Sequence, residues 1–251
     1  MKKLLVAVVV VLVSSVGWVQ AVLAQQSASK GVPVEFFACN YQDGKGLADL
    51  QKVAAKFSKW AGDNDSSYSA WILTPQFHNA DLGFDVGWLG AWPDGNAMGK
   101  SMDTWLSGGK EVADDFSKVF DCSISHETAT SAMVNAPKGP PGNGVVMFSE
   151  CTMLEGKTPT EALPAHRKVG AMMKDMGSKG SSWLFFPGMG SANAGFHYWS
   201  VLGFNSYSDL GAATEMYING GGWEKAMSVL APLTRCASPA VFDAHLVRAG
   251  V

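Results

Sequence analysis

Histidines and a carboxylate in the C-terminal half have side chains that can transfer protons. Asp243 and His245 alternate along a β-prone stretch, so both side chains point to one face of a strand. His197 comes directly before Tyr198 and Trp199, and an imidazole beside an apolar wall titrates close to neutral pH. We take His197, His245 and Asp243 as candidate catalytic residues and assign no metal to them. The alternative is an edge strand whose polar residues face water, with His197 making a single hydrogen bond.

Aromatic side chains close to these residues could line a chamber. Trp88, Trp92, Tyr198 and Trp199 crowd two β-prone stretches, one in each half of the chain. A cavity with aromatic walls and a few polar groups is typical of a small-molecule site. We therefore predict that these four side chains bind a small apolar or aromatic molecule. The alternative is an interior filled by its own side chains.

The two halves of the chain resemble each other when the sequence is shifted by 112 positions. The shift aligns cysteine, tryptophan and proline without a gap, and two extra residues then align Cys122 with Cys236. This regularity predicts a tandem repeat, with the first copy at 31–135 and the second at 144–251. A Pro/Gly linker, which cannot hold a helix, separates them at 136–143. The pairs aligned without a gap include Cys39 with Cys151, Trp71 with Trp183 and Pro75 with Pro187.

Each copy has the same predicted order of elements, β-α-β-β-α-β, which is the ferredoxin-like motif. Polar residues differ between the copies at four strand positions, which indicates one specialised site. His126 and Glu127 point to opposite faces of the last strand of the first copy. The four differing pairs are Ala38 and Glu150, Asp85 and His197, Ala129 and Asp243, and Ser131 and His245.

The four cysteines permit three disulfide connectivities. In the ferredoxin-like motif the end of the first strand lies beside the start of the last strand. Each copy has one cysteine at each of these two places. We therefore predict structural disulfides Cys39–Cys122 and Cys151–Cys236. A four-cysteine zinc site is the alternative, but the sequence has no C-x-x-C pair.

Two such units, each too apolar to leave its sheet face wet, are expected to pack sheet to sheet. This arrangement resembles the dimeric α+β-barrel superfamily, here as two tandem ferredoxin-like repeats fused into one intramolecular α+β barrel. The resemblance implies a ligand inside the barrel or between sheet and helices. It also implies functions that range from haem-dependent or cofactor-free oxygenases and isomerases to stress-response proteins.

Composition restricts the compartment and the partners. Lys2 and Lys3 precede an apolar run, which predicts a signal peptide at 1–24, and an uncleaved anchor is the alternative. No later segment is long and apolar enough to predict stable membrane insertion, so a periplasmic or secreted protein is expected. A net charge of −3 with no basic run argues against nucleic-acid binding.

The function that the sequence favours is binding of a small molecule in the aromatic chamber, by a monomer or a homo-oligomer. An oxygenase- or isomerase-type enzyme, cofactor-free or haem-dependent, is the first alternative. A periplasmic stress or interaction protein without a ligand is the second. The cofactor stays open, because no C-x-x-C-H haem attachment motif is present and non-covalent haem on His197 or His245 is an option.

Overall fold

The computed structural model describes residues 30–191 and 194–250. Residues from Gly31 onward form one compact unit. The predicted signal peptide at 1–24 lies outside the described residues.

The described residues form six α-helices and nine β-strands, and the two halves have the same order of elements except for one additional short strand, β8, in the second half. The first half runs β1 (Val32–Tyr41), α1 (Leu47–Asp63), β2 (Ser69–Phe77), β3 (Val86–Ala91), α2 (Gly95–Gly108), α3 (Lys110–Ser117) and β4 (Phe120–Asn135). The second half runs β5 (Gly144–Met153), α4 (Pro159–Asp175), β6 (Ser181–Pro187), β7 (Tyr198–Phe204), α5 (Tyr207–Ile218), α6 (Gly222–Leu230), β8 (Thr234–Cys236) and β9 (Ala240–Arg248).

The strands close into an antiparallel barrel in the order β1-β3-β2-β9-β5-β7-β6-β4, and β4 returns to β1. The short strand β8 extends the pairing of β5. Each half therefore contributes four strands, and the halves meet where β2 pairs with β9 and β4 pairs with β6. The fold is α+β, as expected. The alternative of a last strand at a solvent-facing edge is wrong, because both β4 and β9 are paired on both sides.

Both predicted disulfides are present in this fold. Cys39 bonds to Cys122 and Cys151 bonds to Cys236, with sequence separations of 83 and 85 residues. Register explains the second bond directly, since Cys151 and Cys236 are cross-strand partners of β5 and β8. The zinc alternative is excluded, because all four sulfurs are in disulfides.

Alternation along the strands divides the hydrophobic residues into an inner and an outer core. On β1, Val34 and Phe36 face the barrel interior, whereas Phe37 and Cys39 face the helices. Helix α1 covers the outer face of the first half with one apolar stripe. Its buried residues are Leu50, Val53, Ala54, Phe57 and Ala61.

Two details of the strands concern residues named in the sequence analysis. Strand β2 continues past Pro75, where a register shift against β9 accommodates the missing N–H of proline. His197 lies just before β7 rather than within the strand.

Candidate functional site

A cavity of about 490 Å³ lies outside the barrel, between the first-half strands and helices α1, α2 and α3. We call it the outer pocket. Its walls are mainly aromatic, and several rings meet edge to face, as Phe57 does with Trp88 at 5.5 Å between ring centroids. The aromatic residues of the lining are Phe37, Phe57, Trp60, Tyr68, Trp88, Trp92, Trp105, Phe116 and Phe120.

Four polar side chains form a continuous hydrogen-bonded chain in the wall of the outer pocket. Trp88 Nε1 donates to the hydroxyl oxygen of Tyr68 at 2.8 Å. The Tyr68 hydroxyl donates to Glu35 Oε1 at 2.5 Å, and the other carboxylate oxygen, Oε2, lies 2.9 Å from His126 Nε2. Both oxygens of Glu35 therefore have a partner.

Each member of the chain lies on or next to a different strand. Glu35 is on β1, Tyr68 lies just before β2, Trp88 is on β3 and His126 is on β4. Their side chains share the outer face because β1 is paired with both β3 and β4, which places Phe37 beside Trp88 and His126. Backbone pairing of the barrel thus positions the site.

Burial makes the carboxylate of Glu35 unusual. Glu35 is 7% exposed, and a buried carboxylate is costly unless hydrogen bonds replace its water. Burial, with the adjacent Glu35 charge as a second cause, raises the pKa of Tyr68 well above its usual value. Tyr68 is therefore a fixed hydrogen-bond donor at neutral pH.

His126 is the accessible end of the chain. Its side chain is 45% exposed, whereas that of Glu35 is 9% exposed. The imidazole stacks on Phe37 with ring centroids 3.7 Å apart, which fixes its plane. Within the described part of the chain, His126 Nδ1 has no hydrogen-bond partner. A carboxylate that accepts from Nε2–H leaves Nδ1 with a lone pair that can take a proton.

The four aromatic residues predicted to form one chamber lie in three places. Trp88 and Trp92 line the outer pocket. Trp199 faces the barrel interior. Tyr198 is fully buried on the outer face of the second half, where its hydroxyl lies 3.0 Å from His166 Nε2. Adjacent strand residues alternate between faces, so Tyr198 and Trp199 cannot share a chamber.

His197 lies in neither cavity. Its side chain is exposed, and its Nδ1 accepts a hydrogen bond from the Met153 N–H at 3.1 Å. That bond corresponds to the structural role considered in the sequence analysis. A catalytic role for His197 stays a prediction.

Asp243 and His245 share the outer face of β9, as predicted, but lie away from both cavities. Asp243 accepts hydrogen bonds from Tyr207 at 2.7 Å and from Gln76 at 3.0 Å. His245 Nε2 lies 3.2 Å from Thr74 Oγ1. Catalysis by either residue stays a prediction.

A second cavity of about 490 Å³ occupies one end of the barrel interior. We call it the barrel cavity. His126 and Glu127 face different cavities, as alternation along the strand predicts. His126 lines the outer pocket and Glu127 lines the barrel cavity. Trp199 and five phenylalanines provide its apolar lining, the latter being Phe36, Phe84, Phe148, Phe185 and Phe242.

The lining of the outer pocket does not suit haem. No lysine or arginine is among its described residues, so haem propionates would lack counter-charges there, and Glu35 and Asp121 add negative charge instead. His126 already uses Nε2 to contact Glu35. Across residues 30–191 and 194–250, no three side chains of the metal-binding types form a cluster. No helix of these same ranges could cross a membrane.

The polar chain was not predicted from the sequence. Its members are far apart along the chain and match no spacing rule for catalysis. A signal was present, however, because the 112-residue shift places Met147 opposite Glu35 and Gly180 opposite Tyr68. The comparison of the two halves that selected His197 thus also distinguishes these two positions.

Comparisons of sequence give no relative. No family model matches the chain, and no curated protein matches it.

Comparisons of structure identify proteins with the same fold. A protein of Fusobacterium nucleatum subsp. nucleatum assigned as a monooxygenase superposes with a TM-score of 0.54 at 9% identity, covering 88% of this chain and 95% of that one. An anthrone oxidase-like protein gives a TM-score of 0.51 at 11% identity, covering 87% and 92%. A chlorite dismutase variant from Candidatus Nitrospira defluvii gives 0.51 at 6% identity, covering 86% and 92%. At these identities the likeness shows the ferredoxin-like α+β barrel fold of the chain.

Proposed function

We propose that the protein is an oxygenase-type enzyme that converts a small aromatic molecule in the outer pocket, starting with removal of a proton by His126. The observation that carries this proposal is the buried Glu35 carboxylate, bonded to Tyr68 and to His126 in an aromatic pocket. A pocket that only bound an apolar molecule would have no need of a buried carboxylate, whose burial is costly.

Glu35 prepares His126 for this role in two ways. Its Oε2 accepts from Nε2–H, which holds the imidazole in the tautomer whose Nδ1 lone pair is the base. When Nδ1 takes a proton, the adjacent carboxylate stabilises the imidazolium. Tyr68 and Trp88 keep the carboxylate in place from the other side. They are positioning residues.

The lining indicates a substrate without negative charge. Two carboxylates and no described lysine or arginine line the pocket, so a carboxylate or phosphate on the ligand would be repelled. Flat aromatic walls favour a planar ring system. Trp92, also in the wall, has a buried indole N–H that finds no acceptor among the described residues, which suits a ligand with a carbonyl or hydroxyl oxygen.

The oxygenase-type reaction that fits these groups needs no cofactor. Proton loss from a methylene flanked by aromatic rings gives an electron-rich carbanion that O₂ can oxidise. One methylene and one O₂ then give one ketone and one water, so atoms and electrons balance. The neighbours that are named as monooxygenase or anthrone oxidase-like support this reaction class, although they share only the fold with this chain.

Two further predictions from the sequence, export of the chain and its origin by duplication, stay proposals. We propose that the chain is exported through a signal peptide at 1–24, consistent with its two disulfides. The two halves at 31–135 and 144–251, joined by the linker at 136–143, are proposed to descend from a tandem duplication.

Oxygen uptake with a soluble anthrone as probe tests the function. We expect the wild type to consume O₂ and to release the corresponding anthraquinone, identified by mass spectrometry. Glu35→Gln and His126→Asn should each lower kcat by about a hundredfold, which is the usual contribution of a general base. The matched controls are His245→Asn and His197→Asn, which change histidines outside the outer pocket.

Three outcomes bear on the proposal. Equal turnover by the wild type and both pocket variants would overturn it. Loss of turnover in His197→Asn or His245→Asn alone would move catalysis to the histidines that the sequence suggested. Tight anthrone binding without oxygen uptake would instead favour the binding-protein function.

A further inference from the structure

The barrel cavity combines an aromatic interior with an acidic opening. Phe36, Phe84, Phe148 and Phe242 form a continuous set of ring contacts, with centroid distances between 5.8 and 6.2 Å. Trp199 and Phe185 complete the apolar wall. Ring faces carry partial negative charge, so such a cage attracts cations as well as apolar groups.

Three carboxylate residues lie around this interior. Asp81, Glu127 and Glu150 belong to the lining, and none of the three carboxylates pairs with another described residue. Glu35 also contributes to the wall, but its carboxylate is bonded on the outer side to Tyr68 and His126. Among the described residues of the lining, lysine, arginine and histidine are absent. The charge of the cavity is therefore uncompensated and negative.

We infer that the barrel cavity is a second ligand site, separate from the outer pocket, that takes an organic cation with an apolar body, such as a benzylic or alkyl ammonium compound. The apolar body occupies the space among the phenylalanines, and the cationic head lies near Glu127 and Glu150. The cavity volume of about 490 Å³ accommodates a ligand with one or two rings.

Charge complementarity decides between the classes of ligand. A neutral aromatic molecule could enter the cage but would leave the three carboxylates without a counter-charge. An anion would be repelled by them, since like charges at a partly desolvated site are unfavourable. A hydrated metal ion would gain nothing from the phenylalanines. Only a cation with an apolar body uses both features.

Sequence divergence agrees with this assignment. Glu150 takes the place of Ala38 under the 112-residue shift, and both residues line the barrel cavity. The carboxylate of Glu150 therefore has no counterpart at the equivalent position of the first half.

Isothermal titration calorimetry with three benzyl compounds tests the site. Benzyltrimethylammonium, benzyl alcohol and phenylmethanesulfonate share the benzyl group and differ in charge. We expect the cation to bind, the alcohol to bind at least tenfold more weakly and the sulfonate not to bind. Affinity for the cation should also fall as sodium chloride rises from 10 to 300 mM, because salt screens partly exposed carboxylates.

Variants locate the bound cation. Glu127→Gln and Glu150→Gln should each weaken binding of benzyltrimethylammonium by about three- to tenfold, with thermal unfolding measured to show that the fold is kept. Glu224→Gln on α6 is the control for loss of one charge elsewhere. Asp121→Asn, which removes a charge from the outer pocket alone, should leave the affinity unchanged.

The inference fails if the sulfonate or the alcohol binds as well as the cation. It also fails if Asp121→Asn abolishes binding while Glu127→Gln and Glu150→Gln do not, because the cation then lies in the outer pocket. Neither result depends on anthrone oxidation, so the two proposals are tested separately.

Discussion

A buried carboxylate with two different partners is the central residue-scale feature of this protein. Glu35 receives a hydrogen bond from Tyr68 on one oxygen and contacts His126 with the other. Removing one partner of a buried charged group leaves the desolvation cost uncompensated, so the three residues depend on one another. The same coupling makes the geometry sensitive to small steric changes.

Gly90 provides a direct test of this geometry. A Cβ at this position would overlap the Tyr68 hydroxyl, so Gly90→Ala should displace Tyr68 from Glu35. We expect anthrone turnover to fall at least tenfold and the free energy of unfolding to fall by about 1–3 kcal/mol, the cost of an unsatisfied buried polar group. Steady-state kinetics and urea unfolding measure the two effects.

The control for this substitution is Gly99→Ala in α2, where a Cβ meets nothing within 4 Å. Alanine in a helix interior should leave turnover unchanged and slightly increase stability. If Gly90→Ala behaves like Gly99→Ala, the Tyr68–Glu35 contact is not needed for activity.

Helices on the two halves of the barrel pack differently, and this difference explains where the pocket lies. In the first half, α2 and α3 have no buried residues, so they cover the outer pocket without filling it. In the second half the corresponding helices, α5 and α6, do bury residues: Ala213 on α5, and Gly222 and Ala226 on α6. Helix α4 buries His166, which packs against the fully buried Tyr198. Helix α4 thus packs closely on its sheet.

The contact between α4 and β7 predicts a pH dependence of stability. Burial lowers the pKa of His166 to about 4 from 6.5. In the unfolded chain the imidazole takes up a proton near pH 6.5, but in the folded protein it stays neutral. The stability is therefore fully present above about pH 6.5 and is lost as the pH falls towards 4.

Urea unfolding at pH 7 and pH 5 measures this effect. Through His166, the free energy of unfolding of the wild type should fall by about 2 kcal/mol between pH 7 and pH 5. The slope for one such group is at most about 1.4 kcal/mol per pH unit. His166→Gln keeps a hydrogen-bond partner for Tyr198 but does not titrate. Its free energy of unfolding should therefore fall by about 2 kcal/mol less than that of the wild type over the same pH change. The control His78→Gln, in an exposed loop, should behave as the wild type does. An unchanged pH slope in His166→Gln would contradict the buried neutral imidazole.

The element order could be predicted from the sequence because it depends on local signals, and the cysteine pairing could be predicted from strand adjacency in the ferredoxin-like motif. Periodicity indicates α1 and α4, and the position of the cysteines at the ends of β1 and β5 indicates the disulfides. Closure of the barrel depends on pairing between β2 and β9 and between β4 and β6, which no local pattern encodes. The predicted chamber that would join Trp88 with Trp199 is not formed, because Trp88 lies on the outer face of the barrel wall and Trp199 on the inner face.

The outer pocket depends on the same long-range pairing. Trp88 and Trp92 stand out in the sequence as clustered tryptophans, and both line the outer pocket. That they bind a ligand stays a prediction. Glu35 and His126 match no catalytic motif, because Glu35 is a lone carboxylate in β1 and His126 is one of many polar residues in β4. Only the register of β1 with β4 brings them together.

At the scale of the whole molecule, two disulfides cross-link the halves internally, one between β1 and β4 and the other between β5 and β8. Each closes a loop of more than 80 residues, worth up to about 4–5 kcal/mol on the chain-entropy model. We expect reduction to lower the free energy of unfolding by about 2–5 kcal/mol per bond, measured by urea unfolding with and without a phosphine reductant. Cys39→Ala with Cys122→Ala should reproduce half of the loss. A reduced protein as stable as the oxidised one would contradict this estimate.

Hydrogen exchange of the probe tests the central claim, proton removal by His126, most directly. The protein is mixed with a soluble anthrone in D₂O without oxygen, and the loss of the methylene proton signal is followed by NMR, so that oxidation plays no part. The wild type should accelerate exchange over buffer, and Glu35→Gln and His126→Asn should return the rate to near the buffer value. His197→Asn should exchange as fast as the wild type. Acceleration that survives in His126→Asn, or a wild type that binds the probe without exchanging it, would contradict the account.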